Sequence, residues 1–379
     1  MAGVRRVVIK LGTKMITRGP YTLDTEALAR LAIDIADLRR EKYEIIIVTS
    51  AAIAAGMGRM GIHRRPTSIP RLQALASIGQ NLVLNAYEQA LGMFGLPIGQ
   101  VLLTIDDIND RKRYINLQNA LSELLGMGAV PIINENDAVG TEEVKVGDND
   151  NLSSYVACLV DADLLVLFTD VDGLFDCDPR KGEGRLIPHV TRITPEIEAL
   201  CGGAGDAAAV GGMRTKIEAA SRVLGAGGMV LIVNGRKVRL PDILSGAEVG
   251  TFFRSDDEGL NARLHWIAMT AKVRGALRVD AGAAKAISDR NASLLPKGIT
   301  GVEGSFDIGD VVAVLDPSGE EIVRGVALYD SRETAMIMGR HSDEIDGILG
   351  YTNGTTVIHR NDMVHAKSLA EKGYRNGHT

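Results

Sequence analysis

The sequence predicts an α/β protein: a three-layer sandwich around a largely parallel central sheet, followed by a small β-rich module. Three observations carry this. Short β-branched runs alternate with longer amphipathic stretches through the first two thirds of the chain. Those runs are apolar at nearly every position, the pattern of strands covered on both faces. From about Gly275 the texture changes to short runs separated by Gly-, Asp- and Pro-containing turns.

Taken in order, Val7, Val8 and Ile9 form a first strand that ends in Lys10-Leu11-Gly12-Thr13. Asp24 is placed to cap a helix whose Leu28, Leu31, Ile35 and Leu38 recur at helical spacing, and Glu44 to Thr49 returns as a strand. The alternation continues with a helix over 70–91, a strand over 101–104, a helix over 112–125 and a strand over 130–134. After these come a helix over 152–159, a strand over 164–169, a helix over 214–224 and a strand over 229–233. In open parallel sheets ligands sit outside the carboxyl ends of the strands, which directs attention to the polar residues found there. In the last module, 311–315 and 322–326 read as strands. The expected division is 1–255 for the α/β part, 256–274 as linker, 275–365 for the β-rich module and 366–379 as a polar tail.

Composition excludes several classes. The chain has 379 residues, 45% hydrophobic and 24% charged, which is a globular rather than a disordered profile. Its net charge of −6 gives no bias towards nucleic acid or anionic membrane, and 4% aromatics argue against a base-stacking surface. Cys158, Cys177 and Cys201 are scattered with no C-x-x-C, so neither a disulfide framework nor a zinc site is expected. The segment MAGVRRVVIKLG has no long apolar run, and a cytoplasmic soluble protein is expected.

No G-x-x-x-x-G-K-[ST] occurs, so a P-loop is absent and phosphate handling must come from elsewhere. Lys10 precedes Gly12, where backbone N–H groups can approach an anion and the lysine adds a point charge, although a lysine at a strand end is also common in solvent. Gly211-Gly212-Met213-Arg214-Thr215-Lys216 reads either as a helix opening onto an anion or as an ordinary helix start. Thr49-Ser50-Ala51, Asn134-Glu135-Asn136-Asp137 and Asp148-Asn149-Asp150 follow strands or open helices. Helix capping explains the last of these, but amides and carboxylates grouped at strand ends also suit an α-amino acid, with carboxylates for its ammonium and amides for its carboxylates. Asp170-Val171-Asp172-Gly173 lacks the spacing of a calcium loop, and no protein-built metal site is expected.

The ordered set VIKLGT, VTSAAIAAG, NENDAV, KVGDNDNLS, TDVDGL and GGMRTK, with ASLLPKGI and HSDEIDGILGY in the last module, resembles the glutamate 5-kinase family. The resemblance implies an amino-acid-kinase fold with a C-terminal PUA domain and transfer of the ATP γ-phosphoryl group to the γ-carboxylate of L-glutamate, the first step of proline biosynthesis. It implies that Lys10 and Lys216 neutralise the transferring group and that Asp170 positions those lysines. Thr169, Asp170 and Gly211, Gly212, Met213, Arg214, Thr215 and Lys216 would line ATP, with Gly12 cradling phosphate oxygens. Ser50, Ala51, Asp137 and Asn149, with Asn134, Asp148 and Asp150 close by, would hold glutamate. Mg2+ would arrive on the ATP phosphates. The resemblance further implies inhibition by proline, a homo-oligomer (dimer or tetramer) and a glutamyl phosphate reductase as the consumer of the product.

The chain departs from the family pattern at three positions. Ala51 stands where Gly is usual, so a close approach or a positive φ there would carry a cost, and Ala51→Gly is expected to raise glutamate affinity. Lys14 stands where a small Ser is usual and would either assist ATP or lie in solvent. Val210 replaces a frequent Thr. The alternatives are another small-molecule kinase of the same superfamily, or RNA binding through the PUA module. Residues 275–365 hold 8 Lys/Arg against 14 Asp/Glu, and that acidic excess argues against RNA.

Overall fold

The computed structural model describes residues 3–140, 148–177, 184–200, 211–255, 267, 273–290 and 292–366. It divides into two compact units, one drawn from Met1–Ile105 and Asn116–Gly259, the other from Asp106–Ile115 and Leu260–Thr379. The excursion Asp106–Ile115 has no counterpart in the sequence pattern.

In the first unit the chain runs β1 (Arg6–Leu11), α1 (Thr13–Ile16), β2 (Thr17–Arg18), β3 (Thr22–Leu23), α2 (Thr25–Arg40), β4 (Glu44–Val48), α3 (Ala52–Arg59) and α4 (Ile69–Gly92). It continues through β5 (Ile98–Leu103), then α5 (Ile105–Asn109) and the start of α6 (Arg111–Gly126), whose residues Asp106–Ile115 belong to the second unit, and returns to the first with β6 (Val130–Glu135), α7 (Asp148–Leu159) and β7 (Leu164–Thr169). The last elements are β8 (His189–Val190), α8 (Pro195–Ala199), α9 (Gly211–Gly225), β9 (Met229–Asn234), α10 (Leu240–Leu244) and β10 (Thr251–Phe253). The central sheet has the order β5-β6-β4-β1-β7-β9-β10-β8, and every pairing is parallel except β9 with β10. Its inner strands are apolar on both sides, since Val7, Val8 and Ile9 are all fully buried, as a sheet covered by helices on both faces requires.

Three helices show why the layers form. The Asp24 side chain accepts from the Ala27 N–H at 3.0 Å and starts α2, whose Leu28, Ala32, Ile35 and Leu38 turn one face to the sheet. Helices α3 and α4 cross in near backbone contact: a Cβ added at Gly56 would lie 2.0 Å from the Leu75 carbonyl oxygen, and one at Gly79 would lie 1.8 Å from that of Ala52. Helix α3 was not anticipated, because its run of Ala and Gly has little periodicity to read.

The second unit carries a five-stranded sheet of order β12-β11-β13-β14-β15, with β11 (Val273–Val279), β12 (Ile299–Gly304), β13 (Val311–Leu315), β14 (Glu321–Val326) and β15 (Met363–His365). It has its own core around Leu277, Val312, Val314, Val323 and Tyr329. A reciprocal capping box between Asp330 and Glu333 starts the helix Ser331–Ile337 that covers it. Among the described residues no helix is long and apolar enough to cross a membrane.

Candidate active site

The site is built where β1, α7 and α9 converge at the carboxyl edge of the sheet. Residues alternate along β1, so Ile9 and Leu11 enter the core beneath α2 while Lys10 points to the other face. On α7 the positions Asp150, Ser153, Ser154 and Ala157 recur at helical spacing and are all buried. On α9 the same spacing buries Lys216, Ala219, Ala220 and Val223. Small residues let the two helices pack closely, and each row carries a charged residue near its amino end.

Those two residues and Lys10 form one ion cluster. Asp150 Oδ1 lies 2.7 Å from Lys10 Nζ, and Asp150 Oδ2 lies 2.9 Å from Lys216 Nζ. Asp150 is fully buried and both lysines are 7% exposed. Thr215 Oγ1 donates to Asp150 Oδ2 at 2.8 Å, and Lys216 Nζ also donates to the Gly212 carbonyl at 2.9 Å. Burial by itself would raise the Asp150 carboxyl, but Lys10 and Lys216 overcome it and hold the group below the usual carboxylate range. Burial depresses the Lys10 ammonium; Asp150 opposes this and Lys216 adds to it. The cluster is thus two cations against one anion, with an unbalanced positive charge in a water-poor setting.

This corrects one expectation. The carboxylate that bridges the lysines is Asp150, not Asp170. Asp170, at the end of β7, pairs instead with Lys14 at 2.7 Å, and that hydrogen bond, working against burial, lowers its pKa. Thr169 is buried beside it, with its hydroxyl 3.4 Å from Asp170 Oδ1. Lys14 therefore has a partner yet remains largely in solvent.

The other expected residues fall around this cluster. A Cβ added at Gly12 would lie 3.6 Å from Lys10 Nζ, so the missing side chain keeps the space above the lysine open. Gly211, Gly212 and Met213 form the opening of α9, the end of a helix whose first N–H groups have no partner within the helix. Arg214 is not gathered in; it is exposed and pairs along the helix with Glu218 at 3.0 Å. Ser50 Oγ donates to the Leu11 carbonyl at 3.0 Å and accepts from Thr13 Oγ1 at 3.2 Å. Asn149 Nδ2 donates to the Thr49 carbonyl at 2.8 Å and to Asn134 Oδ1 at 3.2 Å. Asn149 Oδ1 is buried with no hydrogen-bond partner among the described residues. Asp137 is half-buried in the turn after β6. Asp148 opens α7, but its side chain, like Val210, lies outside the described residues.

Ala51 occupies the position before α3 with φ 76° and ψ 5°, a left-handed conformation that favours glycine. Its methyl is buried in the core. The departure from Gly noted in the sequence therefore falls on a backbone that needs positive φ.

Sequence reasoning missed two supports. Gln80 on α4 accepts from Asn134 Nδ2 at 2.8 Å, and the buried Tyr87 hydroxyl lies 2.9 Å from Thr49 Oγ1. Both sit on a long helix whose polar residues look like an ordinary solvent face. Among the described residues no group of three or more His, Cys, Asp or Glu side chains is arranged to hold a metal ion.

Residues 5–234 match the amino acid kinase family, and residues 275–349 match the PUA domain. Over 374 residues the chain is 46% identical to a glutamate 5-kinase of Shewanella amazonensis, covering 97% of this chain and 98% of that one. The chain belongs to the glutamate 5-kinase family. Family relatives from Moorella thermoacetica and Syntrophotalea carbinolica, both glutamate 5-kinases, are each 43% identical, over 366 and 369 residues. They cover 96% and 97% of this chain, and 97% and 99% of their own lengths are matched. The family's shared length therefore includes both units.

Proposed function

We propose that the chain transfers the γ-phosphoryl group of ATP to the γ-carboxylate of L-glutamate, giving L-glutamyl 5-phosphate and ADP. The observation that carries this reading is the buried Lys10–Asp150–Lys216 cluster beside the open space at Gly12 and the amino end of α9. A γ-carboxylate oxygen attacks phosphorus, the bond from phosphorus to the β–γ bridging oxygen breaks, and ADP leaves with that oxygen. The attacking carboxylate is already ionised at neutral pH, so no general base is needed. What the protein must supply is in-line positioning and positive charge around the equatorial oxygens. Lys10 and Lys216 supply the charge, and Asp150 fixes both ammonium groups without cancelling them. In water the same lysines would swing freely; here burial and one carboxylate hold them in place before the substrate arrives.

Thr169, Asp170 and the first residues of α9, Gly211 to Lys216, would line the nucleotide. Ser50, Asp137 and Asn149 would hold glutamate, with Asn134 fixing the Asn149 amide. The unpartnered Asn149 Oδ1 fits the α-ammonium of an amino acid, since a buried acceptor without a donor is costly until a ligand supplies one. Mg2+ would be held mainly through the ATP phosphates and would add charge neutralisation there.

Proline carries an α-carboxylate and a cationic nitrogen, so it would compete for the glutamate groups. The product is an acyl phosphate prone to hydrolysis, which calls for a reductase that consumes it promptly. The kinase portion at 1–255, the PUA portion at 275–365 and assembly as a dimer or tetramer are carried with this reading, on the strength of the family resemblance. Incubation with ATP, glutamate and hydroxylamine tests it: γ-glutamyl hydroxamate is expected, and its absence with glutamate while another acid yields hydroxamate would overturn the assignment.

A further inference from the structure

A cavity of about 470 Å3 opens within the first unit between α1, the first half of α2 and the turn that follows β9. It lies on the face of the sheet away from Lys10. Strand alternation accounts for this: Leu11 and Phe168 are register partners on β1 and β7 and join the core beneath α2, whereas Lys10 faces α7 and α9.

The lining combines two kinds of surface. Leu11, Met15, Leu28, Leu31 and Phe168 give an apolar floor. Lys14, Arg18, Arg30, Arg236, Lys237 and Arg239 are also in the lining, against only Asp24 and Asp34. Four of those six cations are ion-paired: Lys14 with Asp170 at 2.7 Å, Arg18 with Glu26 at 2.8 Å, Lys237 with Asp172 at 2.8 Å, and Arg239 with Asp34. Arg30 and Arg236 have no ion-pair partner among the described residues, although Arg236 donates to the Lys14 carbonyl at 3.0 Å.

We propose that this cavity is a second small-molecule site, one that takes an organic anion with an apolar body and a single carboxylate or phosphate group. The volume falls within the range of small-molecule pockets, and a few fixed polar groups over an apolar floor are what such pockets use to orient a ligand. A bare inorganic anion would engage the rim and leave the floor wet. A neutral apolar molecule would cover the floor and leave Arg30 and Arg236 uncompensated. A ligand with both parts satisfies the whole lining.

Phenyl phosphate is the probe, with inorganic phosphate as the anion lacking a body and benzyl alcohol as the body lacking a charge, each titrated calorimetrically into the full chain. Phenyl phosphate is expected to bind at least tenfold more tightly than either control. The double substitution Arg30→Gln, Arg236→Gln is expected to weaken it at least tenfold, and saturating ATP is expected to leave it unchanged. Both arginines are exposed and, among the described residues, outside any ion pair, so the variant should fold; the single Arg30→Gln variant repeats the measurement if it does not. No binding, equal binding of inorganic phosphate, indifference to the arginine substitutions or displacement by ATP would each overturn the proposal.

Discussion

Replacing Asp150 by Asn is the sharpest perturbation of this protein. The change keeps the side-chain shape but leaves Lys10 and Lys216 buried with no carboxylate between them. Breaking a buried pair by removing one partner costs about 3–5 kcal/mol. A second route gives the same scale. The variant can escape the penalty by releasing a proton from one lysine, and neutralising a group with an ordinary pKa of 10.5 at pH 7 costs about 5 kcal/mol at about 1.36 kcal/mol per pH unit. Neutralising one lysine leaves the other buried without a carboxylate, so that figure sets the scale of the loss rather than a cap.

The pH dependence has a definite sign. Lys10 is already depressed in the folded wild type, and without Asp150 it falls further, so the folded variant binds fewer protons than the unfolded chain. Its stability deficit should shrink as pH rises from neutrality towards 10.5. In the wild type the Asp150 carboxyl titrates below 3.8, so its contribution is complete above that pH and is lost as pH falls through the lower folded value. Activity should fall by about two to three powers of ten, the usual cost of removing one group that organises charge around a transition state. Hydroxamate formation from ATP and glutamate, with urea denaturation at several pH values, measures both effects. A variant within threefold of wild-type kcat, or a deficit that does not shrink with rising pH, would refute the placement of Asp150 as the bridge.

Ala51→Gly relieves about 1–2 kcal/mol of left-handed strain but adds about 0.4–1 kcal/mol of chain entropy and gives up about 0.8 kcal/mol of methyl burial. Folding stability should therefore change by less than about 1 kcal/mol, while initial-rate kinetics should show a lower glutamate KM; an unchanged or higher KM counts against the strain argument. Ala51→Val, a β-branched residue at the same φ, should destabilise the fold by a further 1–3 kcal/mol, roughly, in chemical denaturation. Gly79→Ala would drive a methyl into the Ala52 carbonyl, and separation of α3 from α4 should cost more than about 3 kcal/mol or abolish soluble protein. Lys14→Met removes a solvent-exposed pair with Asp170; melting should register less than about 1 kcal/mol, and an ATP KM that rises more than threefold would show that the lysine serves the nucleotide.

The strands of the central sheet were legible because β-branched runs such as Glu44–Val48 and Leu164–Thr169 are apolar on both faces, a pattern few other elements produce. Short elements were not. Helix α3 is Ala- and Gly-rich, and its existence depends on close passage against α4 rather than on its own periodicity. The residue types of the site were also readable, but their division of labour was not. Asp148, Asn149 and Asp150 are adjacent in sequence, and only the rotation of α7 sends Asp150 to the lysines and Asn149 to Thr49 and Asn134. A signal for this existed. Asp150 heads the row Ser153, Ser154 and Ala157, and Lys216 heads Ala219, Ala220 and Val223, so each charge begins a buried stripe of small residues. Asp170 pairs with Lys14 because it lies at a strand end within reach of that lysine.

The charge cluster joins positions 10, 150 and 216, which belong to a strand and two helices that no local contact can bring together. Closing such long loops is the slow part of assembling a parallel sheet. Asp150 is costly to dehydrate without a lysine beside it, so its burial is tied to the docking of α7 against β1 and α9. Recovery of catalysis during refolding would therefore time the last of these docking events, whereas circular dichroism would register helices formed well before it.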